Sequence, residues 1–296
     1  MKKLLLASTA LVMSAGYAAA DVSLSGNARM GLVYDGDDIN FTSRARVIFT
    51  MSGETDGGLS FGATFRADQA EAADGSDMTG GNVFISSDFG TLTMGDVSGA
   101  AGFVVGDLAG VGLTDLRSLN ENAFLSNAGD RRTAARYHYS LDGLTLAISA
   151  DQPTADNNVY SIAASYEFDG FAAGLGYEQQ SGAGNHIIGF VSGSFEGVTA
   201  KVTYGRIDSD QRDFLIDAGA AVESRNQYGL SVSGSFDEVS VTAFGRRDVF
   251  SNTHYGIGAS YDLGGGASLV GGVVRDGGST DAGKQTIADF GLSFTF

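Results

Sequence analysis

The segment Val159-Tyr-Ser-Ile-Ala-Ala-Ser-Tyr-Glu-Phe-Asp-Gly170 alternates between two kinds of side chain. Mostly large apolar residues occupy every second position from Tyr160 to Phe168, whereas Ser, Ala and Glu fill most of the positions between them. A period of two residues is typical of a β-strand whose two faces meet different surroundings. Asp169-Gly170 then predicts a tight hairpin turn, because glycine adopts positive φ without steric cost.

Turns of this kind recur at a regular interval. Asp142-Gly143, Asp169-Gly170 and Glu196-Gly197 follow one another at 27-residue intervals, which suits two strands of about ten residues, a tight turn and a longer loop at the other end. Four further turns are predicted at Asp56-Gly57, Asp88-Phe-Gly90, Asp237-Glu238 and Asp262-Leu-Gly-Gly-Gly266. Seven turns join fourteen strands, and a first and a last strand bring the count to sixteen.

The distribution of apolar residues indicates where these strands lie. Tyr, Phe, Leu and Val fill one face of strand after strand, and this apolar set is larger than one soluble core could hold. Phe168, Phe195 and Phe236 directly precede tight turns, which is typical of the aromatic girdles of membrane barrels. We therefore predict an all-β fold, a 16-stranded antiparallel transmembrane β-barrel with no sustained helical segment. A soluble β-sandwich or β-helix is the alternative.

Composition excludes several other classes of protein. The 296 residues include 44 glycines but one proline and no cysteine, which excludes collagen, disulfide scaffolds and thiolate metal sites. A hydrophobic content of 43% argues against disorder. The net charge of −17 would repel nucleic acid.

The first twenty residues predict a secretory leader. Lys2 and Lys3 precede a short apolar stretch, and small residues at Ala18 and Ala20 suit a cleavage site. We expect residues 1–20 to be a cleaved signal peptide and residues 21–296 to form the barrel domain. An N-terminal membrane anchor is the alternative reading.

Two intervals between turns are too long for two strands and a loop. The first excess lies at about residues 96–131 and a smaller one lies near residues 208–224. A loop as long as the first is usually functional in a compact domain.

These features together resemble the Gram-negative general diffusion porins, and most closely their alphaproteobacterial (Rhodobacter-type) members. The resemblance covers the whole mature chain and is strongest at its two ends. The similar segments are Val22-Ser-Leu-Ser-Gly, Ser43-Arg-Ala-Arg-Val-Ile, Gly57-Gly-Leu-Ser-Phe-Gly-Ala, Met94-Gly-Asp-Val, Tyr255-Gly-Ile-Gly-Ala-Ser-Tyr and the terminal Phe-Gly-Leu-Ser-Phe-Thr-Phe.

The resemblance implies a homotrimer of barrels in the outer membrane of a Gram-negative bacterium. It implies that the third loop, at about residues 96–131, folds inward and narrows each pore. It also implies that the second loop, from about Asp68 to Gly80, holds a neighbouring subunit, and that Phe296 is read by the outer-membrane assembly machinery. Outer-membrane lipid and lipopolysaccharide are further expected partners.

Arginines on the polar faces of the strands are candidates for one wall of the pore. A barrel of sixteen strands is too wide for side chains to fill, so water occupies it. The expected basic wall consists of Arg29, Arg44, Arg46, Arg66, Arg132 and Arg136. The alternative is that these arginines only neutralise an acidic lumen.

The long loop supplies acidic counterparts, namely Asp96, Asp107, Asp115, Glu121 and Asp130. Opposite charges across a narrow gap focus the electric field between them. We predict a water-filled channel for passive diffusion of small hydrophilic solutes and ions. A substrate-selective outer-membrane channel is the alternative, and a purely structural or adhesive barrel is a third possibility.

Other chemistry has weaker signals. Asp107, Asp115 and Glu121 could hold calcium through carboxylate oxygens, although no EF-hand spacing occurs. No cofactor is required by the sequence. His138, His186 and His254 lie on separate strands without an evident Asp or Ser partner, and no hydrolase, zinc-protease or nucleotide-binding motif is present. We therefore expect no enzyme activity.

Overall fold

A computed structural model describes residues 21–68, 80–127, 133–151, 158–217, 222, 224–278 and 283–296. The predicted leader, most of the second loop, Asp130, Arg131 and Arg132 lie outside these residues. In the described part no helix is both long and apolar enough to cross a membrane.

Sixteen antiparallel strands close into one barrel, in which each strand pairs with the next and β1 pairs with β16. The strands are β1 (Asp21–Tyr34), β2 (Ile39–Glu54), β3 (Ser60–Asp68), β4 (Gly81–Ser87), β5 (Gly90–Val97), β6 (Thr133–Leu141), β7 (Leu144–Asp151), β8 (Val159–Phe168), β9 (Phe171–Gln180), β10 (Asn185–Phe195), β11 (Val198–Ile207), β12 (Asn226–Phe236), β13 (Val239–Arg247), β14 (Thr253–Gly264), β15 (Ala267–Asp276) and β16 (Gln285–Thr295). The predicted fold and strand number are confirmed.

The tight turns lie where the sequence predicts them. Asp142 and Gly143, with φ of 48° and 82°, form a turn between β6 and β7 with positive φ at both central residues, and the next two hairpins repeat this geometry. Such turns match the right-handed twist of the strands they join. All seven turns lie at one end of the barrel, which we call the turn end, and the longer connections lie at the loop end.

Side chains alternate between an apolar outer face and a polar lumen. On β8, Tyr160, Ile162 and Tyr166 are exposed on the outside, whereas Ser161 is buried on the inside. Phe168, Phe195 and Phe236 ring the outer face at the turn end, and the exposed tyrosines Tyr177, Tyr204, Tyr228 and Tyr255 ring it at the loop end. These two rings confirm the predicted girdles.

The buried core lies inside the barrel, between the wall and the loop that joins β5 to β6. That loop contains helix α1 (Ala100–Val105) and the 3₁₀ turns η1 (Asp115–Ser118) and η2 (Leu125–Asn127). In one cluster Val111, Leu116 and Leu119 pack against Phe244 and Ile287 of the wall. The long loop therefore folds inward.

A second helix, α2 (Ser209–Asp217), occupies the smaller insertion at the loop end. The sequence does not predict this helix, because nine residues are too few to show a sustained helical period. Asp208 accepts a hydrogen bond from the Gln211 N–H at 2.8 Å and so caps the first turn. Gln211 is buried and donates to Gln180 at 2.9 Å, which fixes α2 on the barrel rim.

Candidate functional site

The loop between β5 and β6 (residues 98–132, called the inner loop) is attached to the wall from its first turn. The N–H groups of Ala100 and Ala101 donate to the hydroxyls of Ser149 on β7 and Ser161 on β8, at 2.8 and 2.9 Å. A Cβ at Gly176 of β9 would lie 2.6 Å from the Cβ of Ala101. Glycine at this position therefore allows α1 to lie directly against the sheet.

The middle of the inner loop continues along the wall from β11 to β16. Lys201 of β11 donates to the carbonyl oxygens of Val105 and Asp107. Further on, Thr114 donates both its N–H and its hydroxyl to Asp289 of β16, at 2.6 and 2.8 Å. These bonds satisfy polar backbone groups that would otherwise be buried without partners.

The tip of the inner loop has an unusual backbone. The four residues from Asp115 to Ser118 all have positive φ, between 39° and 65°, a conformation that costs L-residues energy. Arg117 holds this tip by donating to Asp276 at 3.2 Å and to the Asp35 carbonyl oxygen at 3.0 Å. The tip is thus fixed at the loop end, where β15, β16 and the β1–β2 connection meet.

The returning segment of the inner loop is bound by one carboxylate. Glu178 of β9 is fully buried and accepts hydrogen bonds from the N–H groups of Leu125 and Ser126, at 2.8 and 3.2 Å, and from the Ser126 hydroxyl at 2.7 Å. It also contacts His186 Nδ1 at 2.8 Å. Gln227 of β12 bonds both the N–H and the carbonyl oxygen of Ala123.

The arc from β1 to β3 carries inward-facing arginines, and the inner loop contacts this arc at Arg29. Arg29 and Arg44 are direct cross-strand neighbours on β1 and β2. Opposed like charges destabilise a sheet, so sheet pairing alone does not explain this pair. Arg44 donates to Asn27 at 3.3 Å and Arg29 to the Leu113 carbonyl oxygen at 3.4 Å, and no described residue accepts from either Nε atom.

Two further arginines complete this arc. Arg46 forms an ion pair with Asp68 of β3, with an Nη2–Oδ2 distance of 2.7 Å. Arg66 of β3 lies directly across from Ile48 and so shares the inward face. The four arginines predicted on β1 to β3 therefore do lie together on one wall.

Three of the predicted acidic residues lie on the inner loop, namely Asp107, Asp115 and Glu121. Each is close enough to other charged side chains to interact with them electrostatically. Asp115 is close enough to Arg44 for their charges to attract. Burial raises the pKa of Asp107, although Lys201 and the Asn122 N–H at 2.7 Å oppose this effect. Burial also raises the pKa of Glu121, and the neighbouring carboxylates of Asp107 and Asp115 raise it further.

Known proteins are similar to this chain in both sequence and architecture. Residues 7–281 match the family model described as Gram-negative porin. The chain is 37% identical to a porin of Rhodobacter capsulatus, over 93% of this chain and 100% of the relative. It is 26% identical to a porin of Fuscovulum blasticum at the same coverage. A solved porin structure refined at 1.8 Å superposes with a TM-score of 0.78 at 34% identity, covering 93% of this chain and 100% of that one.

The chain belongs to the Gram-negative porin family. This porin is a multi-pass β-barrel of the outer membrane that forms a water-filled channel for passive diffusion. Family membership indicates a channel rather than an enzyme.

Two predicted pore residues have other positions in this porin. Arg136 donates to the carbonyl oxygen and the hydroxyl of Ser98, both at 3.0 Å, and its guanidinium lies 3.9 Å from the Phe103 ring centroid. It therefore holds the start of the inner loop from β6, four strands away from Arg44 on β2. Asp96 belongs to β5, where it lies beside Gly80, and is not part of the inner loop.

The predicted calcium ligands are not grouped as a cluster of three in the described structure. No group of three or more acidic or histidine side chains is positioned to hold a metal ion among residues 21–68, 80–127 and the other described ranges. Asp107 instead uses one carboxylate oxygen to accept from the Asn122 N–H. Calcium binding by Asp107, Asp115 and Glu121 therefore stays a prediction.

Two of the three histidines lie beside carboxylates, and for His254 this contradicts the expectation that no Asp partner is present. His186 pairs with Glu178, its direct cross-strand neighbour. His254 lies 3.2 Å from Asp248 and 3.4 Å from Asp276. Counting outward from Gly182 in the β9–β10 hairpin would have placed Glu178 opposite His186, and this signal was missed.

Proposed function

We propose that this porin selects solutes at a charged eyelet between the β1–β3 arc and the inner loop. Arg29, Arg44 and Arg66 form the basic side, and Asp115 with Glu121 forms the acidic side. The observation that supports this function is that the inner loop attaches mainly to the wall from β6 to β16. It contacts the β1–β3 arc at Arg29, and Arg44 and Arg66 share the inward face of that arc.

The eyelet acts through an electric field transverse to the pore. Charges of opposite sign on low-dielectric walls align water and polar solutes between them. An apolar solute would have to displace this ordered water, so its entry is disfavoured. Rings of charged side chains also set the preference between anions and cations.

A substrate-selective channel has no supporting feature on the described strands. Their tyrosines lie on the outer face, as in Tyr160, Tyr204 and Tyr255, so no tyrosine of these strands offers a stacking surface in the lumen. General diffusion, limited by solute size and tuned by charge, is therefore the better description.

The double variant Arg44→Glu with Arg66→Glu tests the eyelet. Planar-bilayer recording of reversal potentials under a KCl gradient should show a shift of permeability toward cations. A matched control is Arg206→Glu with Arg275→Glu, because these arginines lie on the outer face, and it should leave selectivity unchanged. Unchanged selectivity in the lumen variant would remove the basic wall from the proposal.

We further propose a homotrimer assembled through the β1–β3 face. Ala28, Ala45 and Ala63 are short residues on the outside of β1, β2 and β3, and they leave room for a neighbouring barrel. Native mass spectrometry of the detergent-solubilised protein should give three times the protomer mass. The variant Ala45→Leu should lower the temperature at which the trimer dissociates.

A further inference from the structure

One glutamine binds both backbone groups of a single residue of the inner loop. Oε1 of Gln227 on β12 accepts from the Ala123 N–H at 2.9 Å, and Nε2 of the same amide donates to the Ala123 carbonyl oxygen at 2.7 Å. Because a donor faces one amide atom and an acceptor faces the other, a single orientation of the Gln227 amide satisfies both. The backbone of Ala123 therefore fixes which atom of this amide is the nitrogen.

The orientation of this amide determines the protonation state of a buried histidine. Gln227 Nε2 lies 3.1 Å from His186 Nε2 on β10, and an amide nitrogen donates but does not accept. His186 Nε2 must therefore accept this bond and carry no proton. The other ring nitrogen, Nδ1, then carries the proton and donates to Glu178 at 2.8 Å. His186 is neutral in this arrangement, with its proton on Nδ1.

Among the described residues, one charged group contacts the His186 ring. Glu178 faces the ring from β9, as its direct cross-strand neighbour. The neighbour on β11 is Ile207, and the Phe124 ring of the inner loop lies edge-on at 6.4 Å. Asp208, which follows β11, accepts hydrogen bonds from other residues. The charge that acts on His186 at contact distance is therefore that of Glu178.

Protonation of His186 is incompatible with this orientation of Gln227. An imidazolium donates from both ring nitrogens, so its Nε2–H would meet the amide N–H of Gln227. His186 and Gln227 are each 1% exposed, and two buried donors without an acceptor are unfavourable. If the amide rotated to offer Oε1 to the ring, it would present its N–H groups to the Ala123 N–H. A charged His186 therefore weakens the attachment of Ala123 to the wall.

We propose that His186 is a pH-sensitive switch that controls how firmly the inner loop is attached to the wall. While the ring is neutral, Gln227 binds Ala123 and Glu178 binds the two residues that follow Phe124. When the pH falls and the ring is protonated, Gln227 releases Ala123, whereas Glu178 keeps its bonds and gains a charged partner. The returning segment of the loop then moves within the pore, and the ionic current fluctuates more. The switch acts through the position of the loop and does not depend on the charges of the eyelet.

The protonation state is tested by ¹⁵N NMR of the full chain in detergent micelles, with labelled histidine and with the variant His186→Gln to assign the signal. The neutral ring with its proton on Nδ1 should be observed at about pH 8 and the imidazolium at about pH 5, the range over which imidazole ordinarily changes charge.

Planar-bilayer recording over the same range of pH tests the consequence for the pore. In the wild type, partial closures should become roughly tenfold more frequent as the pH falls, because two hydrogen bonds to Ala123 are lost. His186→Gln offers Gln227 an acceptor oxygen but no ionisable group, so its closures should stay rare at every pH. Gln227→Met cannot bind Ala123, so its closures should be frequent at every pH.

The matched control is His138→Gln, which removes a histidine of β6 that is not bonded to Gln227. It should keep the pH response of the wild type. Heat-modifiable migration would show that each variant is folded. Reversal potentials of His186→Gln should still shift with pH through Glu121, which separates a failure of the switch from a failure of the eyelet.

A pH response that survives in His186→Gln would overturn the proposal, and so would a response that His138→Gln abolishes instead. An imidazolium signal of His186 at about pH 8, or a neutral ring at about pH 5, would also overturn it. If His186→Gln did not assemble, Gln227→Met would still decide, because rare closures in that variant would mean that Gln227 does not hold the loop.

Discussion

The lumen wall of this porin has two arcs that use their polar side chains in different ways. From β7 to β16, which we call the anchoring arc, polar side chains accept hydrogen bonds from backbone groups of the inner loop. Examples are Ser149, Glu178 and Asp289. From β1 to β3, which we call the open arc, the inward side chains include four arginines. The Nε atoms of Arg29 and Arg44 have no acceptor among the described residues, although Arg29 also donates to the Leu113 carbonyl oxygen. In the proposed eyelet, the first arc holds the constricting loop and the second provides basic charge.

The difference follows from what each arc must satisfy. The inner loop has little regular structure, so the wall must supply partners for its buried N–H and carbonyl groups. Val111, Leu116 and Leu119 add apolar packing against β13 to β16. The β1–β3 arc contacts the inner loop at Arg29, and its other inward arginines face the pore, where their charges can act on passing ions.

The largest expected effect is on the anchoring arc, in the variant Glu178→Ala. It removes three hydrogen bonds to Leu125 and Ser126 and leaves His186 buried without its partner. Breaking a buried, hydrogen-bonded pair costs about 3–5 kcal/mol. We expect a lower free energy of unfolding in urea and, in bilayer recordings, larger current fluctuations because the returning segment of the loop is released.

Glu178→Gln is the matched control for this prediction. Its amide oxygen can still accept from the loop, so both effects should be smaller than in the alanine variant. Single-channel noise and urea midpoints equal to those of the wild type in Glu178→Ala would mean that the anchoring arc does not hold the loop.

The open arc could be predicted from the sequence, because alternate residues of a strand point to opposite faces of the sheet. Arg44 and Arg46 share the parity of Thr42 and Thr50, opposite Phe41 and Val47, and the structure places these arginines inside. The positions of the turns could be predicted as well, since Asp-Gly pairs at a fixed spacing indicate hairpins from local sequence alone.

The anchoring arc could not be predicted in the same way. The Thr114–Asp289 bonds join residues 175 positions apart, and the path of an irregular loop leaves no period in the sequence. For this reason the sequence predicts Arg136 in the basic wall, whereas the structure shows it bound to Ser98. The Glu178–His186 pair is different, because hairpin register contains that information.

The next largest effect is expected from a change of pH, because pH alters the negative charge of the inner loop but not the positive charge of the open arc. The raised pKa values of Asp107 and Glu121 mean that these carboxyls take up protons at a higher pH than ordinary ones, whose pKa is about 3.9 to 4.3. As pH falls, the loop loses negative charge while the arginines stay charged. Reversal potentials should therefore shift toward anion preference above the ordinary carboxyl range.

Glu121→Gln should remove part of this pH-dependent shift, because it deletes one of the two titrating groups. A shift of the reversal potential toward cation preference on acidification would contradict the predicted direction. So would a wild-type selectivity that stays constant until the pH reaches the ordinary carboxyl range.

The smallest effect is expected within the open arc, from the neutral double variant Arg46→Gln with Asp68→Asn. Arg46 and Asp68 form an ion pair at 2.7 Å, so removing both leaves the local net charge unchanged. Arg44→Gln, two residues away on the same face of β2, removes a charge without a paired carboxylate. Reversal potentials should therefore change clearly in Arg44→Gln and hardly at all in the double variant. Equal shifts in the two variants would show that selectivity depends on the shape of the β2 wall rather than on its net charge.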